Sequence, residues 1–403
     1  MKCVRPVLAL VALLISAPSF AQGESKGDDD DAGSQDDIQL PVDEMAVLEA
    51  GTGIEIADVD YVGNPLKRFA EKWPSDLVIA PIPGRSPQLG WKLTLAGGYF
   101  LNSRDEDSEV SPSVLGGFAM VAENGSKAYG GGANLHLLDD KLRIKVGAGY
   151  ADVRYRFYGI GNDVGDTGVS LEILQDGPLY FGTASWRVWN KLYVGLGYLA
   201  GNVDSRLRIT LPQTPFFDPV LKLDVGAYVV PIEFDSRDHE QFPRNGWFVS
   251  GRTMLYRESA GGDFDTDIFN IAVNHYRPMG EQNVLALRAY VRSSSGDTPF
   301  FLFSTFGGST DLRGYPSGRY RDRMMYALQS EYRWQFNDSW IFTGFAGFGE
   351  VAPRFSDFGE NFLPAGGIGV RYVLSKKHKV GFSADVAVGK DGAEFYFGVG
   401  EAF

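Results

Sequence analysis

The chain has 403 residues, a formal net charge of −13 at neutral pH, 13% aromatic residues, 50 glycines and one cysteine. The single cysteine, Cys3, excludes a disulfide framework and a cysteine-built metal site. An acidic chain with no basic stripe excludes nucleic-acid binding. No later stretch offers the roughly 18 consecutive apolar residues of a transmembrane helix.

Residues 1–21 read as a secretory signal for the Sec route. Lys2 and Arg5 precede the apolar run Val7–Ile15, and Ser19-Phe20-Ala21 is a small-x-small cleavage site. Cys3 leaves with that signal. Residues 22–60 hold 13 acids and one base, with a run at Asp28–Asp31, and predict a disordered acidic leader. The remaining residues, 61–403, carry a net charge of only −3.

Residues 61–84 are expected to form a periplasmic segment with one short helix. Asn64 is a good N-cap and Pro65 a good first residue. Leu66, Phe69, Ala70 and Trp73 then share a face, with Lys67, Arg68, Glu71 and Lys72 opposite, and Pro74 ends the run.

Residues 85–403 alternate between strand and turn. Strands are expected near 89–102, 112–123, 127–138, 141–158, 168–175, 178–189, 191–209, 220–234, 247–258, 264–278, 283–295, 323–336, 339–350, 363–375, 378–389 and 394–403. The expected fold is therefore all-β, a transmembrane antiparallel β-barrel of about 16 strands. An even number returns both ends to the periplasmic side. The short connections 123–126, 189–191, 336–339 and 375–378 are expected there. The longer 103–111, 212–219, 296–322 and 351–362 are expected outside.

Period-two patterning sets the faces. Tyr326, Leu328, Tyr332, Trp334 and Phe336 alternate with Gln329, Glu331, Arg333 and Gln335. The first set faces lipid, because an unpaired charge there costs about 2–4 kcal/mol at mid-membrane. By the same alternation Arg288, Tyr290, Arg292, Ser383 and Asp385 point inward. In the last strand Phe395, Phe397, Val399 and Phe403 are expected to point outward, with Glu401 at the periplasmic interface.

Between two such strands lies Phe306–Arg323, too rich in Gly, Ser and Arg for a strand interior and placed as a long loop. Its centre, Asp311-Leu312-Arg313-Gly314-Tyr315, resembles the V-R-G-F/Y motif of the BamA/TamA-type outer-membrane assembly and translocation barrels, the bacterial surface antigen family. Three further strings are similar to that family. They are Arg156-Phe157-Tyr158-Gly159-Ile160-Gly161-Asn162, Asp235-Ser236-Arg237-Asp238 with Pro243 and Gly246, and Ala80-Pro81-Ile82-Pro83 before Gly90-Trp91. Together they span most of 80–403.

The resemblance implies a barrel whose loop folds into the lumen, with Arg313 paired to wall carboxylates, Gly314 allowing a sharp turn and Tyr315 on the wall. The family's F-x-D-x-G acid has no counterpart, since Phe345-Ala346-Gly347-Phe348-Gly349 places Gly347 there. Glu331 or Asp385 must then serve, and the candidate lock is Asp311, Arg313, Gly314, Tyr315, Glu331 and Asp385. A second candidate region is the seam between first and last strands with the C-terminal assembly signal: Trp91, Gly97, Gly98, Phe397, Gly400 and Phe403. Too few residues precede the barrel for the family's POTRA domains, so a barrel-only member is expected.

The function so implied is assembly or movement of protein or lipid, without cofactor or metal, in the outer membrane of a Gram-negative bacterium. The implied partners are outer-membrane lipids, unfolded polypeptide or lipid clients, and the barrel assembly machinery for insertion. The alternative is a passive pore for small solutes, which needs an open, charge-ringed bore. An enzyme needs a nucleophile beside a base. Of His136, His239, His275 and His378, His239 and His378 are expected in periplasmic turns and His136 inside, with no serine placed beside it, so no enzymatic activity is expected.

Overall fold

In a computed structural model of the chain, the described residues are 77–86, 89–101, 113–208, 220–238, 242–305, 307–308, 311–375, 380–399 and 401–403. The signal, the leader, the helix expected after Asn64, and Gly400, His239 and His378 lie outside them. Sixteen strands form the wall: β1 Leu77–Ser86, β2 Gly90–Leu101, β3 Ser113–Ala122, β4 Lys127–Leu137, β5 Leu142–Phe157, β6 Leu171–Trp189, β7 Leu192–Arg208 and β8 Val220–Asp235, then β9 Gly246–Tyr256, β10 Thr266–Met279, β11 Asn283–Gly296, β12 Met324–Gln335, β13 Trp340–Ala352, β14 Leu363–Ser375, β15 Val380–Gly389 and β16 Gly392–Val399. Each pairs antiparallel with its neighbours, and β16 returns to β1, closing the barrel. Closure leaves no sheet edge, the only sheet solution in a bilayer.

The count of sixteen holds, but two of its members differ from the sequence reading. The first strand is β1, in residues expected to belong largely to the periplasmic segment, so the barrel begins at 77 rather than 85. It pairs with β2 along its whole length, from Leu77↔Tyr99 to Ser86↔Gly90. Pro81 and Pro83 concealed it, because proline cannot donate to a ladder and is read against a strand. Second, 168–175 and 178–189 are one strand, β6. Gly177-Pro178 has the composition of a turn, yet both residues pair with β5 while pairing to β7 lapses between Asp176↔Asp204 and Leu179↔Gly201.

The two differences cancel in the count but not in the topology. Every connection before β6 changes rim. The tight turn 123–126 shares a rim with the long loops 158–170 and 297–323. The ends of β2 at Leu101 and β3 at Ser113 lie on the opposite rim, with 336–339 and Phe403.

Alternation sets the two faces as expected. Leu328, Tyr332 and Trp334 on the outer face of β12, and Phe336 just after it, are exposed, whereas Gln329, Glu331 and Arg333 are buried inside. Aromatic residues form two outer belts: Trp91, Tyr129, Tyr180, Tyr198 and Tyr228 toward the loop rim, and Trp186, Trp247, Trp334, Trp340 and Tyr372 toward the turn rim. Above the first belt the long strands β5 to β8 carry outward ion pairs, Arg206–Asp176 at 3.0 Å and Lys222–Asp204 at 2.7 Å. Charge there marks where the wall leaves its apolar band.

The lumen is packed on one side. Leu179, Phe181, Leu199, Val225, Val229, Met254 and Ile268 from β6 to β10 form an apolar cluster with Phe264, Phe301 and Leu302 from two loops. Burying such side chains contributes about 1.5–3 kcal/mol each.

The exchanged rims give a direct test. With Cys3 the native cysteine, new ones at Asn124, Ser356 and Asp338 can be labelled by a membrane-impermeant maleimide in one-sided vesicles. Asn124→Cys and Ser356→Cys are expected to label from the same side, and Asp338→Cys from the other. Grouping of positions 124 and 338 would contradict the placement of β1.

Candidate functional site

The loop 297–323 turns inward and packs on the inner faces of β12 to β16. Leu312, Tyr315 and Tyr320 are fully buried against Met325, Ala327, Val351 and Leu363. At its tip Arg313 is 0% exposed. Its two terminal nitrogens reach different walls. Nη2 donates to Glu331 Oε2 on β12 at 2.7 Å, and Nη1 to Asp385 Oδ2 on β15 at 2.7 Å. The guanidinium carbon lies 3.5 Å from the centre of the Phe345 ring on β13. A planar fork spans two acids where an ammonium would meet one.

Both candidate acids therefore contact Arg313, and the network is larger than the sequence indicated. Arg333 Nε donates to Glu331 Oε1 at 2.8 Å. Arg371 on β14 holds Asp385 through Nη1 and Glu401 Oε2 through Nε, the latter at 3.0 Å. Three arginines face three carboxylates, so the buried charge is balanced. Arg371 could have been found from the inward parity of 363–375. Gly369 leaves space for the cluster: a Cβ there would lie 1.8 Å from Asp385 Oδ1 and 2.9 Å from Arg371 Nη1.

The residues beside Arg313 are held by the wall and by the loop itself. Gly314 has φ +110°, and a Cβ on it would stand 3.1 Å from the Val388 carbonyl carbon on the wall. Its N–H donates to the Tyr396 hydroxyl at 2.8 Å. Tyr315 packs on the wall, and its hydroxyl donates to the Pro364 carbonyl at 2.6 Å. Asp311 makes no ion pair to Arg313; its Oδ1 accepts the Leu312 N–H at 2.7 Å, and its carbonyl accepts from Gln329 Nε2. Gly347, where the resemblance expects an acid, faces the Leu312 side chain, 3.1 Å from where its Cβ would be.

A second set of contacts fixes the loop at its rim. A short helix, α1 (Asn162–Thr167), follows the Tyr158–Asn162 string. Arg319 Nε donates to the Gly165 carbonyl at 3.0 Å, and the Gly161 N–H donates to the Arg321 carbonyl at 2.7 Å. The Tyr320 hydroxyl bonds Asp166 and Asp391, both at 2.9 Å, and Lys390 holds Asp166 at 2.6 Å. The string read only as a resemblance thus clasps the lumenal loop.

The seam departs from expectation. Trp91, Gly97 and Gly98 lie on β2, a full strand away from β16. The seam lies between β1 and β16, where among the described residues one register pair, Arg85↔Phe397, is formed. Prolines 81 and 83 deprive β1 of two donors. Since β1 pairs fully with β2, the loss falls on the side facing β16. The chain end also differs. Strand β16 stops at Val399, and Glu401 to Phe403 turn into the lumen. Glu401 is 7% exposed, and the Phe403 ring packs against Tyr276, Val284 and Ala286 rather than facing outward. Arg333 and Arg371 inside draw the acid away from the interface.

His136 points inward, as expected, but its ring is closed off. Nδ1 meets Asp140 at 2.7 Å and Nε2 meets the Asn134 amide at 3.2 Å. The Ser113 hydroxyl engages the His136 main chain, at 2.9 Å from its N–H, not the ring. Among the described residues no nucleophile contacts the ring. No group of His, Cys, Asp and Glu that could hold a metal is found among the described residues.

No protein-family model matches the sequence, and no curated protein matches it. Solved structures do match in fold. BamA from Haemophilus ducreyi lacking POTRA domains 1–3 superposes with a TM-score of 0.57 at 15% identity, over 82% of this chain and 70% of that one. CdiB from Escherichia coli gives 0.56 at 12% identity, over 87% and 67%. CdiB from Acinetobacter baumannii gives 0.52 at 12% identity, over 81% of this chain and 59% of that one. The chain thus has the sixteen-stranded barrel fold of BamA and CdiB, and the resemblance read from its motifs holds at the level of fold.

Two outcomes follow from this geometry. Arg313→Ala leaves two buried acids short of their cation and is expected to cost about 3–5 kcal/mol. A fall in the midpoint of heat-modified migration on gels measures it, and Arg313→Lys should recover only part. At the rim, hydrogen bonding to Lys390 holds the Asp166 carboxyl below its usual range. A depressed folded value stabilises the clasp above the unfolded value of about 3.9. That contribution is lost as pH falls through the lower folded value. Protease cleavage within 158–170 should therefore stay slow at neutral pH and rise only in strong acid, and Asp166→Asn should remove the rise.

Proposed function

We propose that this chain is an outer-membrane barrel that inserts or moves polypeptide, or lipid, into or across the membrane. Residues 1–21 direct its export through the Sec route, and the barrel assembly machinery inserts it. The observation that carries this reading is Arg313, buried on a loop tip and divided between carboxylates on two strands. A lock of this kind holds the lumen in one defined state, and it holds the wall beside the seam in register. The fold likeness to BamA and CdiB supports the reading, as do the two aromatic belts. The weakly paired β1–β16 edge is a place where a client strand could add by main-chain hydrogen bonding. The barrel works without cofactor or nucleotide; the energy comes from client folding.

A passive pore is the less favoured reading. The apolar packing on β6 to β10 and the locked loop on β12 to β16 fill both sides of the lumen.

Photo-crosslinking in growing cells tests the proposal, with the crosslinker at Ile79 or Phe397 on the true seam and at Leu196 as a mid-barrel control. Adducts with unfolded polypeptide at the seam, absent at Leu196, are the expected result. Lipid-only adducts equal at all three positions, with a large steady conductance in planar bilayers, would replace the proposal with a pore.

A further inference from the structure

The Arg313 lock and the chain end share their arginines. Arg371 donates to Asp385, which holds Arg313, and through Nε to Glu401 at 3.0 Å. Arg333 donates to Glu331, which also holds Arg313, and through Nη2 to the Phe403 main-chain oxygen at 2.6 Å. Arg333 Nε also lies 3.6 Å from Glu401. These side chains are 5% exposed or less. Strand pairing ends at Val399, so side chains hold residues 401–403 without a ladder. The Phe403 ring sits 5.9 Å from both Arg288 and Arg333.

We infer that Glu401 is a positioning residue for the lock, and that the tail of the seam strand and the lumenal loop control each other. The physical cause is charge balance in a closed site. With Glu401 in place, three carboxylates neutralise three arginines. If the tail withdraws, Arg371 and Arg333 keep only the acids that Arg313 needs. Arg371 Nη2 already stands 3.8 Å from Glu331 and 3.3 Å from Asp385. It is placed to draw both acids from Arg313. Conversely, removing Arg313 frees Asp385 and Glu331 to take both arginines, and the hold on Glu401 weakens. Displacement of β16 would thus be felt 88 residues earlier in the chain, at the loop tip. The coupling runs through two arginines that touch both parts, rather than through the backbone.

Coupling between two equilibria is reciprocal, and that gives the test. Two reporters are introduced into the full chain in lipid vesicles: Ser317→Cys on the loop and Ala402→Cys on the tail, both buried. Maleimide labelling rates report their opening, with the exposed Ser356→Cys as an internal reference. Gel migration of the unheated protein confirms that each variant is a closed barrel. Glu401→Gln is expected to raise labelling at position 317 by about tenfold or more, as for a broken buried pair. Arg313→Gln is expected to raise labelling at 402 by a similar factor. Glu401→Asp should restore slow labelling at 317, which a mere packing role would not give. In the Arg313→Gln background, adding Glu401→Gln should have no further effect on position 317. Equal labelling in Glu401→Gln and wild type, or effects in one direction only, would overturn the inference. So would independent factors that multiply in the double variant. Should Glu401→Gln fail to close, the Arg313→Gln arm read at 402 decides by itself.

Discussion

A guanidinium at the centre of a barrel, out of contact with water, is tolerable only where carboxylates meet it. Arg313 has two, on strands that are not neighbours, and the loop that carries it is bound to five consecutive strands as a result. Leu312 fills the space before Gly347, Gly314 lets the backbone touch the wall, and Tyr315 closes the turn. These features are consequences of seating one planar cation. The network is also vulnerable at each member, because losing one side chain leaves an uncompensated charge in a site with little water to screen it.

The rest of the lumen is arranged around that seat. Strands β6 to β10 present apolar side chains inward, so half of the interior behaves like the core of a soluble protein. The other half is ionic. The long loop bridges the two, with Phe301 and Leu302 in the apolar cluster and Arg313 in the ionic one. At the loop rim α1 and the β15–β16 turn clasp the same loop through Asp166, Tyr320, Lys390 and Asp391. The loop is held at its base, tip and flank, and a change in its conformation requires several contacts to break together. Where β1 meets β16, one register pair is formed among the described residues. Tight lumenal packing therefore lies beside a sparsely paired edge, and the tail at 401–403 touches the ionic cluster.

Much of this was legible in the sequence. The alternation in 323–336 placed Glu331 and Arg333 inside, and the loop string singled out Arg313. The two carboxylates left as alternatives both lie against Arg313, because a fork with two ends takes two acids. What misled were residues with two meanings. Pro81 and Pro83 look like a lead-in, yet at a seam a missing donor is harmless. Gly177-Pro178 looks like a turn, yet within a long strand it is only a lapse in one ladder. Glu401 and Phe403 followed the outward parity of the last strand, yet the ladder ends two residues before Glu401.

By itself the sequence determined the class of fold, the facing of most strands and the identity of the buried cation. Those follow from periodicity and from the cost of charge in lipid, which act locally along the chain. Only the tertiary structure decided which acids close the lock, where the seam lies, on which rim the early turns stand, and that Arg371 and Glu401 belong to the site. Each of these depends on closure, which brings β1 against β16 and the chain end beneath the loop tip. No local pattern encodes a contact between residues 313, 385 and 401; the ring has to close first.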